Sequence, residues 1–391
     1  MLRTYDSEPW RGLPPRVADL IEPELDAISE EIVATIGREV PEYARPLEGR
    51  FGRGVRTGVG EALLQFVALI RDPETGRDRG REVYVELGRG ELRQGRALDS
   101  LLAAYRVGAR VAWRRIAAVC RDADLPVEPL TLVAESIFAY IDGLSADSAE
   151  GYAAAQTELE DVRRRRRQEL AALLIREPAP DDADLRAAAR AAEWTVPARL
   201  AVGACSERDL VAVTRRLPQE VLATVVDGSG CLVVPDPDGP GRVEALTRAA
   251  PPLLALGPAG GPAEAGGSWA LAQSILRASA VDALPSSGLL RAEDHLAELL
   301  LFEGRGLTAR IAAARLRPFE ELTEKAAARM RETALAHLRH NGNAVAMAAE
   351  MHVHPQTARY RIARLRELLG DQLEDPDARF ELEIALRSGV A

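Results

Sequence analysis

The residues best suited to chemistry lie close together near the C-terminal end, in the run His352-Val353-His354-Pro355-Gln356-Thr357-Ala358-Arg359-Tyr360-Arg361. A glutamine amide can make paired hydrogen bonds to an adenine edge, and an arginine guanidinium to a guanine edge, in the major groove of DNA. The Thr357 and Tyr360 hydroxyls suit phosphate or base contacts. These groups act together only if one element presents them on one face, and their spacing allows that. At 100° per residue, Ala358, Ile362, Leu365 and Leu369 fall on an inner face, while Gln356, Arg359, Tyr360, Ala363 and Arg364 fall opposite.

The preceding residues supply the elements that hold this helix. His340-Asn341-Gly342-Asn343 ends one helix, with Gly342 suited to a left-handed C-terminal cap. Asn343 can cap a short helix over Ala344–Met351. His352–His354 then forms a tight turn, and Pro355 takes the first helical position, where its fixed φ is tolerated. The second helix runs to Leu369 and stops at Gly370. Two helices of these lengths joined by so short a turn have the proportions of a helix-turn-helix spanning 343–370. The candidate DNA-contacting residues are Asn343, His352, His354, Gln356, Thr357, Arg359, Tyr360, Arg361 and Arg364, with the N-terminal residues of the second helix foremost. Between Asn341 and Leu369 four arginines stand against Glu350 and Glu367, a local net charge of +2. The same pattern also describes an ordinary amphipathic helix with an exposed arginine face. His352 and His354 have no cysteine or acidic partner at zinc spacing, so they read as a phosphate contact or a helix cap.

Gly342–Gly370 resembles the C-terminal helix-turn-helix of PucR-type (purine-catabolism, CdaR-like) regulators. The likeness rests on the alanine-rich first helix, His352 and His354, Thr357, Tyr360-Arg361 and Leu369-Gly370. It continues through Asp375-Pro376, Arg379-Phe380-Glu381-Leu382 and Ala385-Leu386. Gln356 departs from the asparagine more common in that family, which bears on base choice and not on fold. The resemblance implies double-stranded DNA as partner and transcription regulation as function. Upstream, an α/β segment resembles a degenerate GGDEF-like domain. The first domain resembles the helical, globin-like N-terminal domain of RsbR-type stress sensors, through Gly95, Leu98, Tyr105, Arg106 and Trp113.

The rest of the 391-residue chain divides by period. Val17, Ile21, Leu25, Ile28 and Ile32 recur at helical spacing, as do Leu98, Leu101, Leu102, Tyr105, Ala109 and Trp113, and then Leu132, Ile137, Tyr140, Ile141 and Leu144. Breakers at Arg71-Asp72-Pro73 and Leu125-Pro126 separate them. Residues 1–151 are therefore expected to form a helical sensor-like bundle, and 152–176 a connecting helix. In that connector the run Arg163–Arg167 reads as a solvated face, and Leu159, Val162, Leu170, Leu173 and Leu174 as a seam for a second subunit. Short apolar runs at Arg199–Ala204, Val221–Val226, Cys231–Val234 and Leu253–Leu256 predict strands of an α/β domain over 177–284. Residues 285–391 complete a mainly α chain with a second helical domain. The net charge of −10 argues against a protein that coats nucleic acid over its whole surface, and leaves room for a local basic patch.

Other chemistry lacks its residues. Cys120, Cys205 and Cys231 are isolated and read as small buried apolar residues. A nucleotide cyclase needs adjacent carboxylates on a hairpin for metal and triphosphate; Asp227-Gly228-Ser229-Gly230 offers one, which reads as a turn residue. All five histidines lie at or after His295, so none serves haem in the first domain. There is no Gly-Lys-Ser/Thr and no Gly-x-Ser-x-Gly. The opening MLRTYDSEPWRGLPP has no apolar leader core, and no run is long enough to span a bilayer. The expectation is a cytoplasmic, non-enzymatic DNA-binding regulator without a cofactor, a homodimer or higher oligomer, responding to a small-molecule or protein effector. A stress-signalling scaffold with a vestigial C-terminal module, or a nucleotide enzyme, are the competing classes.

Overall fold

The computed structural model describes residues 8–44, 49–75, 78–250 and 252–388. Of the opening stretch read for a leader, Met1–Ser7 lies outside them. The chain forms two compact units, Met1–Val162 and Arg163–Ala391.

The first unit is all helical: α1 (Pro15–Ile21), α2 (Leu25–Glu39), α3 (Gly49–Arg71), α4 (Asp78–Arg93), α5 (Leu98–Asp122) and α6 (Val127–Leu174), the last supplying residues to both units. The sequence breakers fall where helices end, after Arg71 and before Val127. The α1–α2 apolar stripe, Val17, Ile21, Leu25, Ile28 and Ile32, is buried throughout, and packs with Phe66, Ile70, Ile116, Ile137 and Leu144 into one core. Helices α4 and α6 approach at backbone distance. A Cβ on Gly88 would lie 1.9 Å from the Ser148 carbonyl oxygen, and one on Gly151 1.9 Å from that of Val85. Only glycine fits either position.

The second unit begins with the end of α6 and α7 (Asp182–Ala191), then a five-stranded sheet and the C-terminal helices. The strands are β1 (Leu200–Ser206), β2 (Leu222–Val226), β3 (Ser229–Pro235), β4 (Leu253–Leu256) and β5 (Gly288–Arg291), in the order β2-β3-β1-β4-β5. Only β4 and β5 pair parallel. Helices α8 (Glu207–Thr214), α9 (Arg242–Ala249) and α10 (Ala265–Ser279) connect them. The hairpin between β2 and β3 closes with Val226 opposite Ser229, and Asp227 and Gly228 turn at φ 49° and 75°. That is the two-residue turn whose twist matches its strands. The four strands expected from apolar runs are present. The edge strand β5 was not foreseen, and it carries the sheet past residue 284, where the α/β segment was expected to end. Gly288-Leu289-Leu290-Arg291 is too short to show a period, and Pro285-Ser286-Ser287-Gly288 reads as the start of a linker.

The seam assigned to a second subunit is used inside the chain at two of its positions. Leu170 and Leu174 are fully buried with Leu185, Trp194, Leu200 and Val233. The arginine run is partly tied to the same unit: Arg166 donates to the Ala191 carbonyl at 3.3 Å, Arg167 to that of Gln219 at 2.5 Å, and Arg163 faces Glu193 at 3.6 Å. All three cysteines are buried and free, as their isolation implied. Burial pushes the Cys205 thiol up to about 11 and Cys231 up to about 12.

Candidate nucleic-acid interface

The C-terminal part comprises α11 (Leu296–Glu303), α12 (Arg305–Arg315), α13 (Glu324–Arg339), α14 (Ala344–Glu350), α15 (Pro355–Leu369) and α16 (Pro376–Arg387). Each boundary around α14 and α15 has a visible cause. Asn341 and Gly342 turn the chain at φ 46° and 73°, and the Gly342 amide bonds back to the His337 carbonyl at 3.0 Å. The Asn343 side chain accepts from the amides of Val345 and Ala346 at 3.1 and 3.2 Å, satisfying two otherwise orphaned donors. His352 stands at φ 51° in the turn, a left-handed conformation in which histidine is tolerated more readily than branched residues. His354 is the cap of α15, its Nδ1 accepting from the Gln356 amide at 3.2 Å, and Pro355 is the first helical residue.

Helix α15 buries Ala358, Ile362, Leu365 and Leu369, the inner face read from the sequence. Ala358 and Ile362 pack with Ala336, Met347, Ala348 and Met351, which fixes α15 to α13 and α14. Leu365 and Leu369 join Phe319, Met330, Leu338, Leu373 and Leu382, fixing its other end to α13 and α16. Gln356, Thr357, Arg359, Tyr360 and Arg364 are exposed on the opposite side, Tyr360 at 73%. Among the described residues, the side chains of Gln356, Thr357, Arg359 and Tyr360 make no hydrogen bond or ion pair with another side chain. An amide, a hydroxyl, a guanidinium and a phenol are thus held on a rigid helix with their donors and acceptors turned to solvent.

The other candidates divide. Asn343 and His354 are committed to capping, which leaves the Nε2 of the exposed His354 outside the cap. His352 is exposed beside them. Arg364 is exposed and pairs with Glu367 at 2.7 Å. Arg361 differs from these: its side chain is 20% exposed, and its Nη1 lies 3.7 Å from a Glu332 carboxylate oxygen and 3.9 Å from the Met351 sulfur, so it leans toward the protein. At 100° per residue it falls between the two faces, and the acidic group on α13 decides its direction.

Several supporting pairings were not legible in the sequence. Glu350 receives Arg339 at 2.8 Å and His340 at 2.5 Å, tying the end of α13 to the end of α14. Those bonds hold the Glu350 carboxyl below its usual value. Arg379 on α16 reaches the Asn341 side chain at 3.1 Å and the Leu373 carbonyl at 3.3 Å. His337 is buried under Gly342, where a Cβ would come within 2.8 Å of its Cε1. Burial, reinforced by Arg366 and Arg379 and opposed by Glu374, depresses its pKa. These pairs close across turns, so no fixed helical spacing announces them.

Residues 330–388 match the family model of the PucR C-terminal helix-turn-helix domain, and residues 10–175 that of the PucR-like N-terminal domain. The chain belongs to the PucR family. The first unit, likened to RsbR-type domains, is thus matched as the PucR-like N-terminal domain, and residues 176–329 lie between the two matches. A solved structure, the regulator of polyketide synthase expression from Bifidobacterium adolescentis, is 21% identical. That likeness covers 57% of this chain and 92% of that one, at a TM-score of 0.31, too low to define a shared overall arrangement. No curated protein matches this PucR-family chain. Among the described residues no helix is long and apolar enough to cross a membrane, and no group of three or more His, Cys, Asp or Glu is placed to hold a metal ion.

Proposed function

We propose that this chain is a sequence-specific DNA-binding transcription regulator, acting in the cytoplasm, with α15 lying in the major groove. The observation that carries the reading is the outward face of α15, where Gln356, Thr357, Arg359 and Tyr360 are exposed and unengaged on a helix anchored along its whole inner side. Gln356 and Arg359 are assigned to base edges, Thr357 and Tyr360 to bases or phosphate, and Arg364 with the outward nitrogen of His354 and with His352 to phosphate. Asn343 and Arg361 position the helix.

One module of this size reads few base pairs, so the regulator is taken to act as a homodimer or higher oligomer on paired half-sites. The upstream domains are assigned to signal reception and oligomerisation. This assignment is supported by α6, whose Val133, Ile137 and Leu144 belong to the first unit's core and whose Leu170 and Leu174 belong to the second's. The sheet is read as a degenerate GGDEF-like domain, with Asp227 serving its turn and no reaction assigned.

The test is a pull-down of fragmented genomic DNA from the source cell by purified full-length protein, with the Arg359→Ala/Tyr360→Ala variant in parallel. The reading expects a small set of enriched fragments sharing a motif, lost in the variant. No enrichment by the wild type, or the same enrichment by the variant, overturns it.

A further inference from the structure

The first unit holds a cavity of about 290 Å³ inside its helical core, between α2, α3, α4, α5 and α6. Its wall is hydrocarbon over most of its extent: Ile32, Leu63, Phe66, Leu87, Ile116 and Ile137 are typical of it. Two of the tyrosines in the lining have their hydroxyls taken by protein, Tyr105 by the Ser148 hydroxyl at 2.8 Å and Tyr140 by the Gln65 amide oxygen at 2.9 Å. Polar groups gather in one corner. There Arg96 donates twice to the buried Glu91, both bonds at 2.7 Å, once to Gln94 at 2.8 Å, and stacks 5.6 Å from the centre of the Tyr43 ring.

Small residues keep the space open. Gly58, Gly90 and Gly108 on the surrounding helices line it, with Ala62, Ala104 and Ala112. A Cβ on Gly90 would meet only the end of the Gln94 side chain, at 3.9 Å. No packing against protein therefore requires glycine there, although glycine weakens a helix interior. Interiors are normally close-packed, and apolar atoms that line a void forgo their contacts. Cavities of about 150 Å³ already stay dry and admit a benzene ring.

We propose that this cavity is a binding site for a neutral, mostly hydrocarbon small molecule of one to three rings, or of equivalent aliphatic bulk, carrying one hydrogen-bonding group. Charge selects the neutral class: Glu91 neutralises Arg96, and Glu86, the other carboxylate of the lining, is paired with Arg93 at 2.7 Å, so the wall offers hydrogen bonds and no uncompensated charge. The hydrogen-bonding group of the ligand sits at that corner and its apolar body against the aliphatic wall. Occupancy of this cavity can be measured whether or not the C-terminal helices bind DNA.

The test titrates the neutral fluorophore N-phenyl-1-naphthylamine into the full-length chain, followed by displacement with n-decanol and with decanoate. Two filling variants run beside it, Ala104→Leu and Gly90→Leu, the second keeping the test open should the first not fold. The expected result is one saturable micromolar site per chain with blue-shifted emission. Decanol displaces the probe at least tenfold better than decanoate, and affinity falls at least tenfold in each variant that retains the wild-type circular dichroism. Absence of saturable binding, stoichiometric binding unchanged in the folded variants, or preference for decanoate overturns the proposal.

Discussion

Arg359 and Arg361 stand two residues apart on α15 and differ in what holds them, so replacing each by alanine separates reading from support. Arg359 is exposed and unengaged, and its loss should leave folding stability within about 0.5 kcal/mol of wild type. If it makes a paired bond to a guanine edge, the loss costs about 1–3 kcal/mol of binding, roughly 5- to 150-fold in Kd. Arg361 is 20% exposed and 3.7 Å from Glu332, itself 58% exposed. Screening limits such a pair to about 0.2–1 kcal/mol, to which the guanidinium's contact with the Met351 sulfur at 3.9 Å adds. Arg361→Ala should therefore lower the thermal midpoint measurably and change operator affinity by less than about fivefold. Thermal unfolding and fluorescence anisotropy on an enriched fragment measure the two quantities on the same preparations. Equal losses of affinity in the two variants, or a stable Arg361→Ala protein with the larger loss, would refute the division of the helix into an outward and an inward face.

Asn343→Ala removes the cap of α14 and should cost about 1 kcal/mol in denaturant unfolding, with Asn343→Asp recovering most of it, because only a side-chain acceptor is needed. Gly342→Ala forces a side chain into φ 73° and within 2.8 Å of His337, and should destabilise by about 1–3 kcal/mol. His337 titrates below its ordinary 6.5 when folded, so the unfolded chain takes up this proton first as pH falls. Its contribution is complete above 6.5 and is lost as the pH drops through the folded value. Between about pH 7.5 and 5.5 the wild type should lose more thermal stability than His337→Gln, and equal losses would remove His337 as the cause.

Where local chemistry decides structure, the sequence was legible. The span of α15, its start at Pro355, its stop at Gly370 and its four inner residues followed from helical period and from residues with special φ. The Asp227-Gly228 hairpin and the buried α1–α2 stripe followed the same way. What stayed hidden is set by tertiary contact. Arg361 is turned by Glu332, on a different helix. Strand β5 exists because β4 pairs with it, and its four residues have no period of their own. The long α6 could be read as a bundle helix followed by a connector because its apolar stripe serves two cores in succession. The cavity in the first unit is a property of five helices together, and only its small residues, scattered over three of them, hint at it.

The most direct measurement of the central claim is an anisotropy titration of the full-length protein against labelled DNA from upstream of its own coding sequence. Scrambled DNA of the same composition, two salt concentrations and the Arg359→Ala/Tyr360→Ala variant complete it. The expected result is tight binding that prefers the native sequence, weakens as salt rises, and falls to the scrambled level in the variant. Sequence-preferring binding that survives intact in the variant would contradict it, because α15 would then not be the helix that reads DNA.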